Sequence, residues 1–216
     1  MRRAIAIVLG LALVGVGCEK MRGSSPQLLS QWQSRTLYTC CNVHWEKDEV
    51  SDANYYVGTL LPFGTPASVT AVTTNSVTFT ASGANLTLNH SYGRDQESSQ
   101  AYFAKVLVET DPHVRFGTYP PKIQLAIKEA RVEKGMTREQ VIMSLGYPAT
   151  HRTPSLDQPT WTYWYNRWVT YTVTFGDDGK VALTQGQAPT RGEDLSAPPP
   201  PPTPAKATKP APKKKK

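Results

Sequence analysis

The 216-residue sequence contains few of the side chains on which most catalytic and metal sites depend. It has three cysteines and four histidines. The histidines are His44, His90, His113 and His151. They lie in unrelated stretches, and no serine, cysteine or carboxylate motif accompanies them at a diagnostic spacing. Zinc sites use about four ligands, and only His44 lies near a cysteine pair. The sequence therefore predicts no enzyme, no metal site and no cofactor.

Excess positive charge is missing from the body of the chain, although the whole sequence has a formal net charge of +7. Of the 24 lysines and arginines, two lie in residues 1–17 and seven in residues 189–216. Residues 18–188 therefore hold 15 cations against 15 anions. Nucleic-acid-binding folds normally carry a basic face in their body. We expect no nucleic-acid partner.

Apolar runs of membrane-spanning length are also missing, and the N-terminal run is too short to span a bilayer as a mature helix. Arg2 and Arg3 precede this run, and Gly15-Val16-Gly17-Cys18 follows it. This order resembles a bacterial lipoprotein signal. The resemblance implies a signal peptide over residues 1–17, lipidation of Cys18 and a lipid anchor in the membrane. Glu19 then favours the periplasmic face of the outer membrane of a Gram-negative-type bacterium. An ordinary secretory signal with an incidental Cys18 is the alternative.

The remaining cysteines, Cys40 and Cys41, are adjacent. In a strand their side chains point to opposite faces, so a bond between them requires a distorted backbone. Two small apolar residues, a vicinal disulfide, and an intermolecular bridge or metal site all stay open. An oxidising periplasm makes two persistent thiols doubtful.

The N-terminal half is predicted to be an all-β domain over residues 34–111, preceded by a tether over residues 18–33. Turn-forming residues separate its short β-branched and aromatic runs. The predicted strands cover residues 37–43, 55–61, 67–73, 77–80, 86–89 and 102–108. So many strands in so short a length favour a small closed or nearly closed barrel. The sequence Leu61-Pro-Phe-Gly-Thr-Pro66 resembles a turn of bacterial SH3-like barrels.

The C-terminal half is predicted to be a two-layer α+β domain over residues 122–188, joined by a connector over residues 112–121. Apolar residues at helical spacing predict a helix over residues 122–131. Thr137 and Gln140 form a capping-box pattern at the start of a second helix, which Gly146 and Pro148 end. Three antiparallel strands are expected over residues 161–165, 168–175 and 180–184.

This half carries a specific resemblance. The segments Lys134-Gly-Met-Thr-Arg-Glu-Gln-Val141, Leu145-Gly-Tyr-Pro148, Trp161-Thr-Tyr163, Thr172-Val-Thr-Phe175 and Gly179-Lys-Val181 resemble the SmpA/OmlA (BamE-like) lipoprotein family. The resemblance covers about residues 122–187. It implies two helices on a three-stranded sheet and no catalysis, and it makes the machinery that assembles β-barrel proteins a candidate partner among the envelope proteins. The family does not have this chain's preceding β domain or its long cationic end.

A cluster of aromatic residues near residue 165 is a candidate partner surface, because large aromatic side chains are preferred interface anchors. Its members are Trp161, Tyr163, Trp164, Tyr165 and Trp168. A two-residue turn at residues 166–167 places Trp164 on the core face and the other four outside. A three-residue or bulged turn inverts the first strand and leaves Trp164 outside. Cover by the N-terminal domain is the rival to partner binding.

Residues 189–216 form a proline- and lysine-rich end that cannot build a core. An extended, disordered segment is expected there. Its lysines are candidates for binding an anionic polymer such as the cell wall: Lys206, Lys209, Lys213, Lys214, Lys215 and Lys216. A non-catalytic outer-membrane scaffold for envelope biogenesis is the first hypothesis. The alternative is a cell-wall or ligand-binding lipoprotein that uses the SH3-like domain and this segment.

Overall fold

The computed structural model describes residues 24–186. The predicted signal peptide, the lipidation site Cys18 and the lysines of the C-terminal segment lie outside this range, so their assignments stay predictions. Within residues 24–186, no helix has both the length and the apolar character that crossing a membrane requires.

The N-terminal region is built mainly from β-strands. Its elements are α1 (Pro26–Ser30), β1 (Leu37–Thr39), β2 (Val43–Trp45), β3 (Glu49–Ser51), β4 (Thr59–Leu61), β5 (Pro66–Val72), β6 (Ser76–Ala81), β7 (Ala84–Asn89), α2 (Ser99–Val106) and β8 (Leu107–Val108). Six strands form one curled sheet in the order β3-β7-β6-β5-β1-β8, and β2 pairs with β4. The all-β prediction is confirmed at this level, and the SH3-like part of it is not.

Alternation along β5, β6 and β7 places apolar residues on one buried face and hydroxyls on the other. Phe79, Leu86 and Leu88 lie at the centre of the resulting core. The predicted strand over residues 37–43 is divided into β1 and β2 around Cys40 and Cys41.

The predicted strand over residues 102–108 is wrong for most of its length, because residues 99–106 form α2. The Ser98 hydroxyl accepts a hydrogen bond from the Ala101 N–H and caps this helix. Tyr102, Phe103 and Val106 are its buried residues, a helical spacing rather than an alternating one. The aromatic and β-branched composition suggested a strand, but the cap and the packing decide for a helix.

The described part of the predicted tether packs on the sheet instead of standing free. α1 lies against β5, and the Ser25 N–H donates to the Val72 carbonyl. Trp32 is 4% exposed and belongs to the core of the N-terminal region, with Leu28 and Leu29 packed against that core. The buried apolar area of these side chains holds residues 24–33 in place.

The C-terminal region contains α3 (His113–Phe116), α4 (Pro121–Lys128), α5 (Arg138–Leu145), β9 (Thr160–Trp164), β10 (Thr170–Phe175) and β11 (Val181–Gly186). The strands form an antiparallel sheet in the order β11-β10-β9. Thr137 and Gln140 form the predicted capping box at the start of α5. The helices pack on one sheet face around Ile127, Val141 and Val173. The α+β prediction for this region is confirmed.

The two regions share side chains across their boundary. Tyr56 and Phe63 of the N-terminal region are buried in the C-terminal core, while Ile142 and Tyr147 pack on the N-terminal core. The predicted connector contains α3, whose Phe116 is also buried in the C-terminal core. The two regions are therefore packed together over residues that the sequence assigned to separate units.

Candidate functional site

A cleft of about 610 Å³ lies where the two regions meet. The end of β2, the β3 strand and the loop after it line one side. The 149–152 loop, the end of β9 and the β9–β10 turn line the other. We call this feature the aromatic cleft, because its lining includes Tyr55, Tyr92, Trp164 and Trp168.

The β9–β10 turn determines which aromatic residues face the cleft. The Tyr165 N–H donates to the Val169 carbonyl, and Trp164 pairs with Thr170, so residues 166–168 form a three-residue turn. The two-residue alternative is therefore wrong. Trp164 lies on the outer face, and Trp168 at the turn is 82% exposed.

The other three members of the predicted aromatic surface are core residues. Trp161, Tyr163 and Tyr165 are fully buried, and the Tyr163 hydroxyl donates to the Gly146 carbonyl. A two-residue turn would have placed these three side chains on the outer face of the sheet. The three-residue turn reverses the direction of every side chain in β9, so they point into the core. Their burial removes them from any contact surface.

The N-terminal region also covers part of this cluster. The Tyr56 N–H donates to the Trp164 carbonyl and the Val57 N–H to the Tyr165 carbonyl. These bonds extend the free edge of β9. The expected cover by the N-terminal domain is therefore present along the β9 edge, and Trp164 and Trp168 stay at the cleft, where partner binding remains a prediction.

Aromatic rings form a continuous row along the cleft. The Tyr55 and Tyr92 hydroxyls lie 3.4 Å apart. The Tyr92 ring lies 5.5 Å from the His151 ring, which in turn lies 6.1 Å from Trp164. Arg152 lies over the Trp164 ring at 5.9 Å. Such a row offers flat apolar faces edged by hydroxyl groups.

Burial shifts the pKa of two groups in the row, Tyr55 and His151, toward the uncharged form. Burial, followed by the hydrogen bond with Tyr92, raises the pKa of Tyr55 to about 12. Burial, reinforced by the charge of Arg152, lowers the pKa of His151. Tyr55 and His151 therefore present uncharged rings to a ligand at neutral pH, and the charged side chains of the lining lie at the rims.

The rims carry opposite charge. Glu46 and Glu49 lie on the N-terminal side, and both are exposed. Arg152 and Arg167 lie on the C-terminal side, and both are exposed as well. A ligand that spans the cleft thus meets a basic rim, an aromatic floor and an acidic rim.

A buried carboxylate holds the loop that presents Tyr92. Oδ2 of Asp52 accepts hydrogen bonds from the N–H groups of Ser91, Tyr92 and Gly93 at 2.8, 2.8 and 3.0 Å. Gly93 packs so closely that a Cβ there would lie 2.1 Å from the Thr150 hydroxyl oxygen. The loop is therefore fixed from both sides.

The side chains of Asp52, His90 and Ser99 lie in a spatial order that resembles a catalytic triad. The His90 Nδ1 atom lies 3.1 Å from the Ser99 hydroxyl oxygen, and its Nε2 atom lies 3.7 Å from Asp52 Oδ2. The His90 side chain is completely buried, and neither His90 nor Ser99 lines the aromatic cleft. Burial lowers the pKa of His90. The arrangement supports the loop and does not face a substrate site.

His44 makes the stability of the protein sensitive to acid. Burial lowers its pKa to about 4, so below pH 6.5 the unfolded chain takes up a proton that the folded chain does not. Stability therefore falls as the pH drops, and we expect a loss of about 2 kcal/mol from this group between pH 7.5 and pH 5. Urea unfolding at both pH values measures it.

Two variants separate His44 from the other groups. His44→Phe keeps a ring against Tyr56, whose ring centroid lies 4.7 Å away, and is expected to flatten the pH dependence. His113→Gln, at a half-exposed side chain, is expected to retain it. Equal pH dependence in the wild type and His44→Phe would rule out this role for His44.

The cysteine pair lies away from the aromatic cleft. Cys40 and Cys41 form a disulfide, and Cys40 lines a second groove of about 690 Å³ beside β8 and α5. Val114, which is 75% exposed, also lines this groove. Among residues 24–186, no group of three or more His, Cys, Asp or Glu side chains is placed to hold a metal ion.

Most of the cleft was not visible in the sequence. Trp164 and Trp168 are candidates on the sequence alone, whereas Tyr55 lies in a predicted strand and nothing in the sequence points to Tyr92 or Asp52. His44 and His151 lie far apart in the sequence, and the fold brings both to the cleft. The exposed rings beside turn residues are a weak signal, because nothing local shows that two distant turns meet.

The comparisons with known proteins agree with the C-terminal prediction. Residues 117–185 match the family model described as the outer membrane protein assembly factor BamE domain. This confirms the resemblance drawn from the sequence. A search of the curated proteins returned no match, and neither did a search of the solved structures. The matched residues supply one side of the aromatic cleft, and the other side comes from the N-terminal region.

Proposed function

We propose that this protein is an outer-membrane lipoprotein that takes part in the assembly of outer-membrane proteins as a non-catalytic binding subunit. The match of residues 117–185 to an assembly-factor domain carries the proposal. The lipoprotein-like signal supports it, because a lipid on Cys18 would hold the protein at the periplasmic face of the outer membrane, beside the assembly machinery.

Trp168 is the proposed anchor for the partner, with Trp164 beside it. Both lie in the matched residues and at the aromatic cleft. Among the large apolar side chains of residues 24–186, Trp168 has the highest exposed fraction. A tryptophan at that exposure buries a large area on binding and loses little rotamer entropy.

Site-specific photocrosslinking in cells tests this proposal. A photoreactive phenylalanine analogue replaces Trp168 in the full-length protein, and a matched chain carries it at Val114 in the second groove. We expect adducts with a subunit of the outer-membrane assembly machinery from position 168 and not from position 114. Adducts with only wall-associated proteins from position 168, or the same adducts from both positions, would overturn the proposal.

Cell-wall binding is the second candidate, and the distribution of charge favours it. Residues 18–188 are neutral, whereas seven cations lie in residues 189–216. The proposal assigns binding of an anionic polymer to those lysines, with the β-rich region facing the wall. Full-length protein incubated with purified cell-wall sacculi is expected to pellet at low salt and to be released at high salt. Failure to pellet at low salt would reject it.

A further inference from the structure

We propose that the aromatic cleft binds the proline-rich part of the protein's own C-terminal segment, residues 193–209. The proposal goes beyond the assembly function, because it concerns the free protein and needs no partner. It rests on three properties of the described residues: the chemistry of the cleft floor, the place where β11 ends, and the order of charge across the rims.

The cleft floor has the composition that binds polyproline. Prolines at positions 198–202 and 204 favour the polyproline II conformation, which exposes flat rings and unpaired carbonyl groups. Domains that recognise such segments dock them on grooves lined by aromatic side chains. The row of Tyr55, Tyr92, His151 and Trp164, with Trp168 at its end, offers flat faces for the rings. The tyrosine hydroxyls can donate hydrogen bonds at its edge.

The described residues end two strands away from the cleft. Gly186, at the end of β11, lies opposite Tyr171 of β10, and the neighbouring Thr170 lies opposite Trp164 of β9. Two strand spacings of about 4.8 Å separate Gly186 from the Trp164 backbone. The 11 residues from 187 to 197 can span up to about 36 Å. The prolines therefore reach the cleft with length to spare.

The order of charge in the segment matches the order across the cleft. Glu193 and Asp194 precede the prolines, and Lys206 and Lys209 follow them, with Arg191 as one cation before the acidic pair. The cleft has Arg152 and Arg167 on the side from which β11 emerges and Glu46 and Glu49 on the other. One direction of binding thus pairs both acidic residues with the basic rim and the lysines with the acidic rim.

The short connection strengthens this binding. A ligand joined by a short linker has an effective concentration in the millimolar range, so even a site with a dissociation constant of about 1 mM is half or more occupied. Occupancy by the chain's own segment covers Trp164 and Trp168. A partner that uses these residues must then displace the segment.

Paramagnetic NMR on the full-length protein tests the proposal. Thr203→Cys carries a nitroxide label in a chain with Cys18→Ser, because Cys40 and Cys41 are joined to each other and do not react. The indole N–H signals of Trp164 and Trp168, assigned with single phenylalanine variants, are expected to lose about half their intensity or more at such an effective concentration. The signal of Trp32, which lies in the core of the N-terminal region, is expected to lose less intensity.

Three variants decide whether the contact is the proposed one. Glu46→Lys with Glu49→Lys, and separately serine at positions 198–202, are expected to restore the Trp164 and Trp168 signals. Asp177→Lys with Asp178→Lys makes the same charge change in the exposed β10–β11 turn and is expected to leave the loss unchanged. Full intensity in the labelled wild type, or equal loss in all variants, would overturn the proposal. A loss seen only when labelled and isotope-enriched chains are mixed would show docking between copies and overturn binding within one chain.

This test and the photocrosslinking test fail independently. The NMR measurement uses purified protein without a partner, so it says nothing about the assembly machinery. Adducts from position 168 in cells would leave the assembly function standing even if residues 193–209 never touch the cleft.

Discussion

Asn42→Ala is expected to lower the free energy of unfolding by about 2–4 kcal/mol, because one side chain binds three backbone groups and two of them would otherwise be buried without partners. Asn42 is 1% exposed. Its Nδ2 group donates to the carbonyls of Ile127 and Ser144 at 2.6 and 3.0 Å, and its Oδ1 accepts from the Phe63 N–H at 2.9 Å.

The surroundings of these backbone groups explain the size of this effect. Ile127 and Ser144 lie in the last turns of α4 and α5, where carbonyl groups have no partner within the helix. Alanine would leave the Ser144 carbonyl and the Phe63 N–H unpaired in a closed core, while the Ile127 carbonyl would keep its bond from the Ala130 N–H at 3.0 Å. Each such group costs about 1–3 kcal/mol, and partial relaxation keeps the total below the sum.

Urea unfolding followed by circular dichroism measures the change. Asn85→Ala is the matched control, because Asn85 is exposed on β7 and its substitution is expected to stay within about 0.5 kcal/mol of the wild type. A loss below about 1 kcal/mol in Asn42→Ala would mean that water or rearranged backbone satisfies the freed groups.

Asn42 also shows where prediction from the sequence ends. Its side chain bonds to residues 85 and 102 positions away, and it lies next to the cysteine pair at the end of a predicted strand. No local pattern indicates that an asparagine there will end two helices of the other region. Asn54 makes the same kind of link to the Leu145 and Tyr147 carbonyls. Polar side chains therefore connect two regions that the sequence predicts to be separate domains.

Predictions that depend on local signals were confirmed. The capping box at Thr137 and the left-handed backbone of Gly146, with φ of 78°, form as expected because they depend on residues three or four positions apart. Which side chains of β9 point into the core depends on the length of the β9–β10 turn. The third residue of that turn reverses the orientation of every side chain in the strand. The helix α2 was missed because tertiary packing outweighed the β propensity of its residues.

The candidate site was the least predictable part. Trp164 and Trp168 were recognisable as large aromatic residues near a turn, whereas Tyr55, Tyr92 and His151 come from three other stretches. Only the packing of the two regions brings these stretches together. The position of Tyr92 depends in turn on a carboxylate 40 residues earlier, which is the subject of the second large effect.

Asp52→Ala is expected to lower the free energy of unfolding by about 2–4 kcal/mol and to release Tyr92 from the aromatic cleft. The side chain is nearly completely buried, and its Oδ2 accepts from three consecutive N–H groups of residues 91–93. Alanine leaves these donors without their partner, and hydrogen bonds to a charged acceptor are about twice as strong as neutral ones. Urea unfolding gives the stability, and the amide NMR signals of residues 91–93 report the loop.

Two further variants separate the hydrogen bonds from the charge. Asp52→Asn keeps an oxygen for the three donors, so we expect a loss of only about 1–2 kcal/mol and a loop that stays in place. Asp177→Ala removes an exposed acid from the β10–β11 turn and is expected to change stability by less than about 0.5 kcal/mol. If Asp52→Ala matched Asp177→Ala, the carboxylate would not hold the loop. If Asp52→Asn lost as much as Asp52→Ala, the charge and not the geometry of acceptance would position Tyr92.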